Sequence, residues 1–107
     1  MSVLEKNEVD ALGIDEKGDL LMLIIDGMNW KNRKEHLLYL QDKINAYVAF
    51  IETKQYRQTY PDKSFDKFII KISFLYKIPR KCIRFLNEVN KQINEYYIYV
   101  EYEVENE

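Results

Sequence analysis

Hydrophobic and polar positions along the chain fall into segments of two different periods. Val9 to Ile14 and Leu20 to Asp26 read as two short strands joined by the polar turn Asp15 to Asp19, in which Gly18 supplies the positive φ that such turns use. From Asn32 the period becomes helical. Leu37, Leu40, Ile44, Tyr47, Val48 and Ile51 recur at spacings of three and four, predicting one apolar stripe on a helix that runs to about Lys54. Asn32 followed three residues later by Glu35 has the form of a capping box and sets the start of that helix.

A polar connection follows, with its clearest break at Tyr60-Pro61-Asp62. Strand alternation returns in KFIIKISFLYK, where Phe68, Ile70, Ile72, Phe74 and Tyr76 share one face and Ile69, Lys71, Ser73 and Leu75 the other. Pro79 suits a first helical turn, and Cys82, Phe85, Leu86, Val89 and Ile93 form a second helical stripe. In the final strand Ile98, Val100, Tyr102 and Val104 alternate with Tyr97, Tyr99, Glu101 and Glu103. The order is therefore ββαβαβ. Two helices that each carry a single apolar stripe are both buried if they lie side by side on one face of a four-stranded sheet, so the expected fold is an α+β two-layer sandwich. The stretch from the third strand through the second helix to the fourth is long enough for a right-handed crossover, while the pattern leaves strand order open.

At 107 residues, with 47% hydrophobic content, the chain suffices for one core and one domain spanning 1–107. Residues 1–8 are expected to be disordered, and 105–107 form an acidic end. Sixteen basic and 18 acidic residues leave a net charge of −2, which gives no global attraction to nucleic acid or to anionic membrane. The polar start MSVLEKNEVD lacks the regions of a secretory signal, and the longest apolar run, Leu20 to Ile25, is far shorter than the roughly 20 residues a membrane span needs. Cys82, the single cysteine, has no partner for an internal disulfide. A soluble cytoplasmic protein is the expectation.

In DGMNWKNRKEHLLYLQDKINAYVAFIE, the residues Asp26, Trp30, Glu35, His36, Leu37, Leu40, Gln41, Lys43, Ile44, Asn45, Tyr47, Phe50, Ile51 and Glu52 form a pattern that resembles a family of short bacterial proteins classed as a domain of unknown function. A looser likeness continues through Tyr60-Pro61 and the third and last strands. The second helix departs from it by opening on Arg80 and Lys81 where the family tends to have prolines and acids. The resemblance implies no activity, so no catalytic role is carried over.

His36, the only histidine, is suited in principle to base catalysis or metal binding, but neither a second histidine nor a ligand-spaced cysteine accompanies it. The expectation is a structural histidine, with no metal and no cofactor. Trp30 has two readings: an exposed anchor for a partner, or a ring folded back over the helix start that seals the core near Leu37, which a small domain favours. Lys77, Arg80, Lys81 and Arg84 gather at the start of the second helix, where the macrodipole favours anions, as a candidate site for a phosphate or an acidic peptide. Tyr97, Tyr99, Ile69 and Leu75 are expected to face away from the helices and, with the doubly apolar second strand, to form a surface that a homodimer or another protein covers.

These features rank three function classes. An enzyme is the least supported, because no paired-carboxylate, nucleophile-base or metal motif is present and three glycines are too few for a phosphate-cradling loop. Nucleic-acid or other anion binding rests on the local basic cluster alone. A non-catalytic interaction module, such as a small dimeric accessory protein or an immunity-type inhibitor, is the preferred expectation.

Overall fold

The computed structural model describes residues 9–105, so the expectations for residues 1–8 and for the last two residues lie outside the described part of the chain. Its elements are β1 (Ala11–Ile14), β2 (Leu20–Asp26), α1 (Arg33–Glu52), β3 (Phe68–Phe74), α2 (Arg80–Ile93) and β4 (Ile98–Val104), with short 3-10 turns at Gln55–Gln58 and Asn94–Tyr96. The sheet order is β1-β2-β3-β4. β1 is antiparallel to β2, whereas β2, β3 and β4 run parallel. A tight turn suffices for the first pairing, while each parallel pair needs a crossover, which α1 and α2 supply.

Local chemistry places the ends of these elements. In the β1–β2 turn Asp15 Oδ1 accepts from the N–H groups of Lys17 and Asp19, both at 2.9 Å, and Gly18 adopts φ +83°. At α1 the Asn32 side chain accepts from Glu35 N–H at 3.2 Å while its amide donates to the Glu35 carboxylate at 2.8 Å. That satisfies one of the four donors a helix start leaves open. Lys54, at φ 58°, then turns the chain out of α1.

Both helices contribute to one core on the inner sheet face. Leu20, Met22, Ile24, Ile70, Ile72, Phe74, Ile98 and Val100 from the sheet meet Leu40, Ile44, Tyr47 and Ile51 of α1 and Cys82 and Leu86 of α2. Ile72 is wholly sealed from solvent. Its truncation to Ala would cost about 2–5 kcal/mol. The connection after α1 is not simply polar: Tyr56, Tyr60, Phe65 and Phe68 form an edge-to-face aromatic group that closes this end of the core.

Three sequence expectations shift. β1 begins two residues late, because Asp10 uses its side chain rather than its backbone to meet β2. β3 ends at Phe74, where its neighbours Asp26 and Val104 also end, so Tyr76 is exposed instead of joining the inner face. Leu75 lies past the strand, and Tyr97 sits before β4 at φ 62°. Neither is therefore an outer-face strand residue.

Candidate functional site

Among the described residues two carboxylates, one histidine and one lysine are buried, and they form two acid–base pairs. Asp26, at the carboxyl end of β2, meets His36 from the first turn of α1, with Oδ2 2.6 Å from Nε2. The other imidazole nitrogen, Nδ1, faces the Asn29 carbonyl at 3.1 Å, an atom that can only accept. Nδ1 is therefore placed to donate to that carbonyl, while Nε2 and Oδ2 hydrogen-bond each other. Asp26 Oδ1 accepts from Met28 N–H at 3.0 Å, so the carboxylate also holds the loop into α1.

Trp30 stacks on the imidazole with centroids 3.6 Å apart and planes 16° from parallel, and leans on Phe74 at 6.1 Å. It is half-buried against the core, which matches a seal over the helix start more closely than an exposed anchor. Its Nε1 is buried and has no hydrogen-bond partner among the described residues. Cys82 is buried near this centre; burial first, and the charge of Asp26 second, push its thiol up to about 12.

The second pair joins Asp10 to Lys43. Nζ lies 3.0 Å from Oδ1, and both side chains are fully sealed. Asp10 Oδ2 accepts from Ile25 N–H at 2.8 Å, standing in for the β1 carbonyl that would otherwise be there. The Asp10 N–H donates to the Tyr47 hydroxyl at 2.8 Å, and that hydroxyl donates to the Leu23 carbonyl at 2.6 Å. Burial holds the Tyr47 phenol well above its ordinary range. Two residues of α1 are thus fastened to the open side of β2.

The far edge of the sheet is managed by Asn90 of α2. Its amide donates to the Val100 carbonyl at 3.0 Å and its carbonyl accepts from Val100 N–H at 2.8 Å, the two bonds a neighbouring strand would make. An open strand edge invites pairing with other chains, and this contact occupies it at one position.

The outer sheet face is covered by no element among the described residues. Pairing places its side chains in rows: Gly13, Leu21, Ile69 and Tyr99 in the first, then Ala11, Leu23, Lys71 and Glu101, then Ile25, Ser73 and Glu103. Lys67 approaches the Tyr99 ring at 6.0 Å, and Lys71 meets Glu103 at 3.6 Å. A groove of about 660 Å³ lies here, floored by Leu21 and Ile69 and bounded by Asp15, Glu16, Asp19, Lys67, Lys71, Tyr99 and Glu101. Of the residues expected to form the outer surface, Ile69 and Tyr99 share its first row. Leu75 and Tyr97 lie outside the strands, and neither they nor Trp30 line the groove. The sequence pattern brought the doubly apolar second strand into this surface without choosing its residues, and the register assigns Leu21, Leu23 and Ile25 to it.

Lys77, Arg80, Lys81 and Arg84 are all exposed, and among the described residues none of them makes an ion pair. They surround the start of α2, where the cap residue Pro79 makes no side-chain hydrogen bond to the helix.

No group of three or more candidate metal ligands occurs among the described residues, and no helix there is long and apolar enough to cross a membrane. Comparison with known proteins places the chain in a family: it belongs to DUF6572, a family of unknown function whose model matches residues 1–106. No curated protein and no solved structure matches it.

Proposed function

We propose that this member of the family acts by binding protein surfaces and not by catalysis, and that the outer face of its sheet is the binding surface. The observation that carries the reading is that face itself: Leu21, Leu23, Ile25, Ile69 and Tyr99 lie together on it with no covering element among the described residues. Antiparallel-edged sheets can leave one face in water, but such faces are ordinarily polar. The side chains best suited to chemistry support the same reading. His36 has both ring nitrogens engaged in a sealed site, and Cys82 is buried with its thiol strongly disfavoured from ionising. A small dimeric accessory protein, or an immunity-type inhibitor, is the form this function takes.

Replacing Ile25 and Tyr99 by Glu tests it, since both reach solvent on the outer face and neither belongs to the inner core. Light scattering at high micromolar concentration should find the wild type larger than a monomer and the double variant a folded monomer. Wild type and variant both monomeric, with equal protection of outer-face amides, would remove the support for a second copy on this face.

A second reading is favoured by the four exposed basic residues at the α2 start, which make no ion pair among the described residues. Anion binding there predicts salt-sensitive retention on heparin that Arg80→Glu with Arg84→Glu abolishes. Wild type that passes heparin at low salt would leave this reading without support.

A further inference from the structure

The first row of the outer face has an order that matches its own reversal. The first row runs Gly13, Leu21, Ile69, Tyr99 from β1 to β4. One alternation step before it, Asp19 and Lys67 precede β2 and β3 at equivalent positions, because Leu20 N–H bonds to the Lys67 carbonyl at 3.2 Å and Leu20 pairs with Phe68. Side chains two residues apart share a face, so Asp19 and Lys67 flank the same surface as Leu21 and Ile69.

Resting on the outer-face reading above, we infer that the occupant of this face is a second copy of the chain, related by a two-fold axis that runs along the strands between β2 and β3. Such an axis reverses strand order while keeping position along the strands. Leu21 then meets Ile69 of the other copy, Tyr99 stands over Gly13, and Asp19 faces Lys67. These three matches are chemically favourable, whereas the second row sets Leu23 against Lys71 and Ala11 against Glu101, so the first row and the charges flanking it carry the contact. A side chain added at Gly13 would meet no atom within 4 Å, so the space above it is open to a large ring. Asp19 and Lys67 are opposite in charge, and their position at the strand ends lets their side chains reach each other across the rim of the contact. A two-fold axis across the strands instead sets β2 against itself in reverse and brings Asp19 over Ile25, leaving both charges unmatched.

The area sets the strength. Four strands about 4.8 Å apart, one of four residues and three of seven at about 3.3 Å each, make a flat face of roughly 400 Å² per copy, smaller than the roughly 600 Å² per partner of the smallest standard interfaces, so only a weak dimer is expected.

The test uses two single charge reversals in the full chain, Asp19→Lys and Lys67→Glu. In each variant alone, both symmetric contacts become like-charged, and dimerisation should weaken about tenfold or more. Mixed together, a subunit with Lys at 19 faces a partner with Glu at 67, and its own Lys67 faces the partner's unchanged Asp19, so both contacts are restored. Sedimentation should therefore show two weakened homodimers and a mixture that associates as a heterodimer. Circular dichroism checks that each variant is folded, and a variant that unfolds is replaced by Asp19→Asn or Lys67→Gln respectively, each of which removes the attraction at the same contact and should still weaken the dimer. Wild type that is monomeric overturns both this inference and the second-copy reading of the face. A wild-type dimer unaffected by either reversal, or a mixture no tighter than its components, overturns the arrangement while leaving self-association standing.

Discussion

Asp26 and His36 meet within 2.6 Å in a site from which solvent is fully shut out, with the Trp30 ring laid flat over the imidazole. The pair joins the end of β2 to the first turn of α1, so it decides how the crossover begins. Removing one member leaves the other buried without compensation, which costs about 3–5 kcal/mol. Asp26→Ala and His36→Ala should each fall in that range in urea denaturation, and the double variant should lose clearly less than their sum. Additive losses would mean that the two residues act separately.

Lys43 is the more demanding case, a fully buried ammonium on a helix. Lys43→Met fills similar volume yet strands the Asp10 carboxylate, with an expected loss of about 3–5 kcal/mol. Tyr47→Phe, which removes only the hydroxyl between Asp10 N–H and the Leu23 carbonyl, should cost about 1–3 kcal/mol. Equilibrium unfolding of both variants checks the order, and a Lys43→Met protein as stable as wild type would contradict it.

Asn90 should matter more for solubility than its position on a helix suggests. Asn90→Leu uncovers the N–H and C=O of Val100 on the outermost strand, costing about 1–3 kcal/mol and leaving β4 free to pair with other chains. Static light scattering over time at constant concentration should show the variant associating faster than wild type. Equal stability and equal association rates would show that water replaces the amide without consequence.

The α1 cap is a smaller and more local test. Asn32→Ala removes the acceptor for Glu35 N–H, and a loss of about 1 kcal/mol is expected. A chemical denaturation midpoint that does not move would assign the cap elsewhere.

Alkaline pH should unfold the protein through Cys82 and Tyr47. The Cys82 thiol rises from 9.0 to about 12 on folding, so the folded state keeps its proton where the unfolded chain has lost it. The associated stability is complete below pH 9 and is lost progressively as pH climbs toward 12. Tyr47, raised from 10.0, acts in the same direction beginning a unit higher. Denaturation curves across this range should show falling stability, less steep in Cys82→Ala. A thiol reagent that labels the native protein rapidly near neutral pH would contradict the burial of Cys82.

What the sequence determined by itself was local. The short apolar run LLMLIID, period two over FIIKISF, period near 3.6 after Asn32, the Asn32–Glu35 cap and the Gly18 turn all follow from neighbours within a few residues, and each stands in the folded chain. Part of the buried centre was also in view, because His36 and Lys43 fall in helical phase with Leu40, Ile44, Tyr47 and Ile51 on the buried stripe of α1. A charged residue in phase with an apolar stripe requires a partner, yet periodicity is silent about which one. The partners Asp26 and Asp10 stand 10 and 33 residues away, at places set by how α1 lies across β2. Strand order, the Asn90 contact on β4 and the row Gly13, Leu21, Ile69, Tyr99 likewise depend on register between segments remote in sequence. Those relations come from closing one shared core, where each strand's position is fixed by the side chains it must bury with the others, and only the tertiary structure decided them.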